Sequence, residues 1–290
     1  MTMSNTIELM FNGLMLGALY AMFALGLSLS LGVMKMINLA HGDLIVLGAY
    51  LAGATMTVTG WPALATIVVV LPVMFGLGWA LQAGLLNRVV GTNELSPLLV
   101  TFGLSVVIQN LLLEFFSANT RSLPSGELAL QGLNVGAVSI GVLPLLITVV
   151  SVLMYTATHA IVARTHVGRQ ARAVADDPAT ARLVGVDDKR FFALMAAFVM
   201  AVTGLVAVLY GIRTPFAPAA GPDRLLFAFE AVVLGGLGSL WGSFAGGLLI
   251  GLAQVLGAQI DAGLGPFFGH LVFLATLLVR PQGLFGARKD

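Results

Sequence analysis

Residues 191–212, FFALMAAFVMAVTGLVAVLYGI, run between Arg190 and Arg213 without one charged side chain. A helix needs about 20 apolar residues to cross the hydrocarbon core of a bilayer, so this stretch reads as a crossing. The rest of the chain agrees. Of its 290 residues, 58% are hydrophobic and only 9% charged, where a soluble domain carries about 25% charge. A surface that faces lipid does not need more. Further spans are predicted near 9–33, 43–59, 62–86, 95–116, 138–163 and 264–280. A Gly-rich stretch, 226–258, is too long for one ordinary crossing. It is expected as one tilted helix or as two shorter segments broken around Gly238 to Trp241. The expectation is an all-α, polytopic bundle of eight or nine spans in a single membrane domain over 1–290. The first eight residues carry Glu8 and no Lys or Arg, unlike the basic start of a signal peptide, so the first run reads as a retained helix.

Positive charge orients the spans. Loop 164–190 holds Arg164, Arg169, Arg172, Arg182, Lys189 and Arg190, six of fourteen basic residues. A cytoplasmic placement brings Lys35 and Arg88 to the same side and leaves Arg121, Arg213 and Arg224 opposite, eight against three. The N-terminus is then expected outside the cytoplasm. Arg288 and Lys289 favour a cytoplasmic C-terminus, which requires nine crossings.

Loop 164–190 also carries helix punctuation. Asp177 can cap free N–H groups and Pro178 is preset for a first helical position. Gly185 suits the left-handed position just past a helix end, and Arg182 falls in the last turn, where the dipole favours a cation. A short helix over about 178–184 is expected, either a lever inserted into a cytoplasmic partner or a solvated connection whose charges set topology.

The run Val167-Gly168-Arg169-Gln170-Ala171-Arg172-Ala173-Val174-Ala175-Asp176-Asp177-Pro178, continuing through Ala181 and Gly185 to Val186, resembles the coupling loop of branched-chain amino acid ABC transporter permeases. Other segments resemble the same family: Asn12-Gly13-Leu14 through Ala24-Leu25-Gly26-Leu27, then Met36-Ile37-Asn38-Leu39-Ala40-His41-Gly42-Asp43; Thr101-Phe102-Gly103-Leu104; and Ala231 through Gly235-Gly236-Leu237-Gly238-Ser239-Leu240-Trp241-Gly242. They fall in family order over nearly the whole chain, and the length is similar to the shorter, LivH-type member of the permease pair. The resemblance implies a bacterial inner-membrane permease with a second, LivM-like permease subunit. It also implies two cytoplasmic ATP-binding subunits, docked on Arg169, Arg172, Asp177, Pro178, Ala181, Arg182 and Gly185, and a periplasmic solute-binding protein. ATP and Mg would bind those partner subunits, with no cofactor on this chain. Family members handle leucine, isoleucine and valine; similar permeases serve urea, short amides or aromatic acids.

Polar groups at membrane depth are costly and tend to face a cavity or another helix. Asn38, His41 and Asp43 cluster between the first two spans, either shaping an inner gate or forming a turn in which Asp43 caps the next helix. Thr101, Ser105 and Gln109, spaced by four, share a helix face that reads as pathway lining or interhelical hydrogen bonding, with Glu114 near the external end. Glu230 is expected to pair with Arg213 or Arg224, or to hold a solute ammonium. Gly238, Gly242 and Gly246, like Gly247 and Gly251 and like Gly13 and Gly17, form four-spaced ridges that let helices approach closely.

With no cysteine, disulfides and thiolate chemistry are excluded. The histidines at 41, 159, 166 and 270 lack metal-ligand spacing, and no Gly-Lys-Ser/Thr run cradles a phosphate. No catalytic constellation and no metal site is read, so nucleotide hydrolysis is expected on another polypeptide. A transporter working alone would be expected to carry more mid-membrane ionisable groups for ion coupling.

Overall fold

The computed structural model describes residues 3–91, 93, 95–126, 131–135, 138–183 and 185–286. Arg288 and Lys289 lie outside the described residues. Eleven α-helices and one hairpin follow in order among them: α1 Met3–Met34, α2 His41–Thr59, α3 Ile67–Gly84, α4 Leu95–Phe116, β1 Gly132–Val135, β2 Val138–Gly141, α5 Val142–Arg164, α6 His166–Asp176, α7 Pro178–Leu183, α8 Asp188–Arg213, α9 Gly221–Gly235, α10 Leu240–Ala258 and α11 Gly265–Val279. Eight helices among the described residues are long and apolar enough to cross a membrane. At 15 residues α9 is not one of them.

The span expected at 138–163 begins four residues late. Val138–Gly141 instead pairs antiparallel with Gly132–Val135, Gly132 opposite Gly141, and the helix starts at Val142. Pro144 then stands in the first turn of α5, where its missing N–H leaves no hydrogen bond unmade.

The chain divides into two compact units. One comprises Met1–Ser28, Ser125–Tyr155 and Leu226–Asp290; the other comprises Leu29–Pro124 and Thr156–Leu225. In the first unit, α1 and α10 meet through glycines. A Cβ on Gly17 would lie 2.5 Å from Leu248 Cα, and one on Gly251 2.2 Å from the Gly17 nitrogen. Backbones this close gain contact where lipid gives no hydrophobic drive. Tyr155 adds polar glue, donating to the Ala21 carbonyl at 2.8 Å and lying 3.1 Å from Ser243 Oγ. Gly242 and Gly246 face α9: an added Cβ would meet Gly235 O at 2.4 Å and Ala231 O at 2.2 Å. Gly238 does not extend that ridge. It lies in the turn at 236–239 with φ +86 and open space around it, so its role is conformational.

In the second unit the buried α8 is the centre, with α2 and α3 laid against it. Small residues set the spacing here too. A Cβ on Gly48 would be 2.6 Å from Ala207 Cβ, and one on Gly78 2.6 Å from the Ala196 carbonyl.

Candidate functional site

Segment 164–190 folds as two short helices seated on the second unit. α6 starts at Thr165, whose hydroxyl accepts the Gly168 N–H at 3.2 Å. The chain reverses so sharply that a Cβ on Gly168 would lie 2.0 Å from the Val162 carbonyl, and the Arg172 guanidinium donates to that same oxygen. Gly168, Ala171 and Val174 then share the inward face. Ala171, Val174 and, from α7, Ala181 pack on a cluster that includes Met34, Met36, Leu86, Phe191 and Met195.

Asp177 caps α7: its carboxylate accepts the Ala179 N–H at 2.9 Å and the Thr180 hydroxyl at 2.5 Å. The Thr180 hydroxyl, then the N–H groups of Thr180 and Ala179, hold that carboxyl below its ordinary value. The far end closes in a two-bond terminator. Gly185, at φ +88, donates to Arg182 O at 3.0 Å and Val186 donates to Ala181 O at 3.1 Å, satisfying carbonyls that helices leave open. Arg182 reaches forward to Asp188 through two hydrogen bonds, and this fork raises its pKa above the ordinary guanidinium value. Of the residues expected to dock, Ala181 therefore faces inward, and Arg172 and Arg182 brace the fold. Arg169 and Pro178 are exposed, as are Thr180 and the apolar Leu183.

Within the second unit the structure joins two groups of polar residues that are far apart in sequence. Asn38 Oδ1 accepts the Ala40 N–H at 3.0 Å, and the Leu39 N–H donates to Thr101 Oγ at 3.1 Å. Ser105 Oγ donates to Asp43 Oδ2 at 2.5 Å, and Gln109 Nε2 donates to Ser105 Oγ at 3.2 Å. Asp43 is buried and does not cap α2, whose N-cap residue, Ala40, makes no side-chain cap bond; its carboxylate turns to α4 instead. The other oxygen, Oδ1, has no hydrogen-bond partner among the described residues and lies 1.9 Å from where a Cβ on Gly221 would sit. The start of α9 is thus closed down on a buried carboxylate. His41 is buried beside this group, and Glu114 is exposed, outside it.

Glu230 lies in the first unit, where it pairs with His270 Nδ1 at 2.6 Å. The expectation of Arg213 or Arg224 is corrected: Arg224 instead donates from Nε to the Tyr210 hydroxyl at 2.9 Å. Phe227 stacks on the His270 ring, with centroids 5.4 Å apart. No cluster of three or more metal-ligating side chains occurs among the described residues.

The family described as branched-chain amino acid transport system / permease component matches residues 9–279. The chain belongs to that permease family. It is 29% identical to the high-affinity branched-chain amino acid transport system permease protein BraD of Pseudomonas aeruginosa, over 95% of this chain and 94% of that one. It is 30% identical to the permease protein LivH of Escherichia coli (strain K12), over 97% and 95%. A fructose import permease protein, FrcC of Rhizobium meliloti, is 29% identical over 84% of this chain and 68% of its own. No solved structure matches it. As a member of the permease family with eight membrane-length helices among its described residues, the chain is a multi-pass membrane transport subunit.

Sequence reading of this permease missed α6, Asp188 as the partner of Arg182, Gly221 over Asp43, and His270 at Glu230. For α6 a signal was present: a capping Thr165 before Val167, Ala171 and Val174 at helical spacing. The other three are long-range pairings that one sequence does not carry.

Proposed function

We propose that this chain is the membrane-spanning permease subunit of an ABC importer that moves leucine, isoleucine and valine across the bacterial inner membrane. The observation that carries it is the α6–α7 element, a capped, terminated and braced pair of helices presenting Arg169, Thr180 and Leu183 outward. A mere connection between α5 and α8 has no need of such construction. Two cytoplasmic ATP-binding subunits dock there and supply ATP and Mg chemistry; this chain hydrolyses nothing. A second, LivM-like permease subunit completes the path and a periplasmic protein delivers solute, with the N-terminus of this chain on the periplasmic side. The linked residues Asn38, Thr101, Asp43, Ser105 and Gln109 brace the inner end of the path.

The family description and the names of BraD and LivH support the solute class. Uptake of radiolabelled leucine into vesicles holding the assembled transporter tests the reading. It requires ATP, the ATP-binding subunits and loaded binding protein, and vanadate stops it. Uptake that persists without the ATP-binding subunits sinks it.

A further inference from the structure

At the end of the second unit remote from α6 and α7, loop residues 121–124 fold back over α2 and border an open cavity of about 530 Å³, within the size range of small-ligand sites. α8 fixes which end this is: it starts at Asp188, tied to α7, and Gly211 near its finish accepts the Leu123 N–H at 2.9 Å. One wall is a single face of α2, with Tyr50, Gly53 and Met56; Leu123 and Phe216 form another. Gly53 leaves the wall recessed, since an added Cβ would meet only Leu123 Cδ2, at 3.5 Å.

Arg121 lines the same cavity. Its backbone is paired both ways with Phe216, each bond 2.8 Å, so its position does not depend on its side chain. The guanidinium lies 5.8 Å from the Tyr50 ring centre and 5.3 Å from that of Phe116, and Nη2 donates to the Phe116 carbonyl at 3.0 Å. It forms no ion pair among the described residues. A guanidinium carries five N–H donors in a planar fork, and the bond to the Phe116 carbonyl leaves most of that fork for a ligand. Below it, Tyr50 is buried with a hydroxyl that has no partner among the described residues. A cation with open donors, set over apolar walls, fits an anion with an apolar tail.

We propose that this cavity is a carboxylate-anchoring site for the transported amino acid, in which Arg121 holds the α-carboxylate and Met56, Leu123 and Phe216 receive the branched side chain. The proposal rests on the amino acid solute given under Proposed function. A carboxylate accepts the guanidinium fork with two parallel bonds, a match that lysine does not reproduce.

The test uses the assembled transporter in proteoliposomes with loaded binding protein, comparing wild type, Arg121→Gln and Arg121→Lys. Leucine uptake is expected to fall roughly 10- to 100-fold in Arg121→Gln, the loss of a charge-assisted bond, and to be intermediate in Arg121→Lys, with co-purification of the other subunits unchanged. A diazirine analogue of leucine is expected to crosslink peptides spanning 50–57 or 121–124, competed by leucine but not by leucinamide, which lacks the carboxylate. Wild type that imports leucine while Arg121→Gln imports it equally overturns the site alone. Wild type that imports no amino acid overturns the solute reading and the site with it. Should Arg121→Gln fail to assemble, wild-type labelling decides, and crosslinks confined to other peptides overturn the proposal.

Discussion

Arg182 and Asp188 are joined by two parallel hydrogen bonds, Nε to Oδ1 at 2.8 Å and Nη2 to Oδ2 at 2.6 Å. The pair ties the last turn of α7 to the first residue of α8, so a push on the outward face of α7 is carried into the central helix of its unit. Single exposed ion pairs contribute little to stability; a fork across a joint does more by fixing direction. Arg182→Ala and Asp188→Ala are each expected to lower leucine uptake per ATP hydrolysed while leaving ATP hydrolysis and assembly in place. The double variant should be no worse than either single one, because both remove the same link. Fully additive losses would show that the two residues act separately.

The α7 cap yields a pH prediction. Hydrogen bonds from Thr180 and Ala179 hold the Asp177 carboxyl below its ordinary value, so the folded element favours the ionised form. Its stabilisation is complete above the ordinary aspartate value of about 4 and disappears as pH falls through the depressed one. Hydrogen exchange in a peptide covering 177–186, corrected for intrinsic rate, should therefore be flat from neutral pH down to about 4, the ordinary aspartate value, and rise below it. Asp177→Asn, still a good cap, should match wild type at neutral pH without the acid rise, and Asp177→Ala should exchange fast throughout. An acid rise that survives in Asp177→Asn would assign the effect to another group.

What the sequence disclosed depended on how local the physics was. The α8 crossing is visible because 191–212 satisfies the bilayer by itself, and α7 because Asp177, Pro178 and Gly185 act on their own neighbours. Glu230 shows the limit. Its charge calls for a partner, and by sign and nearness the sequence points to Arg213 or Arg224. The fold supplied His270, 40 residues on and on another helix. Asp43 and Ser105, 62 apart, are the same case: each was singled out, but their meeting is a product of packing. Gly238 failed in a different way, since spacing by four assumes a continuous helix and the turn before α10 interrupts it.

The glycine contacts between α1 and α10 separate close approach from mere helix weakening. Gly17→Ala and Gly251→Ala place a methyl group within 2.2–2.5 Å of backbone atoms that cannot rotate away, so the helices must part, at a cost of about 1–3 kcal/mol. Gly76→Ala, where nothing lies within 4 Å, should be neutral or stabilising by up to about 1 kcal/mol. Thermal unfolding in one detergent compares the three, and equal shifts would refute the contact argument.

The contact between Asp43 and Gly221 permits a rescue experiment. The Asp43 carboxylate occupies the space a side chain on Gly221 would need, 1.9 Å from its ideal Cβ, so Gly221→Ala should sharply reduce the yield of assembled transporter. Asp43→Ala in the same chain removes the carboxylate; if that collision dominates, assembly returns in part, since Asp43 Cα still stands 2.8 Å from the same Cβ. If the close approach of the Asp43 backbone is the cause instead, the double variant stays as poor as the single. Ser105→Ala completes the series. It strips the hydrogen bond from Asp43 Oδ2 and leaves a buried carboxylate with neither oxygen paired by Ser105, which costs about 1–3 kcal/mol. Asp43→Asn, by contrast, keeps the Ser105 contact without the charge and should be the mildest of the four in assembly yield. Should it also transport normally, the residue braces α2 against α4 by shape and hydrogen bonding alone; a loss of uptake at full assembly would assign its charge to the path.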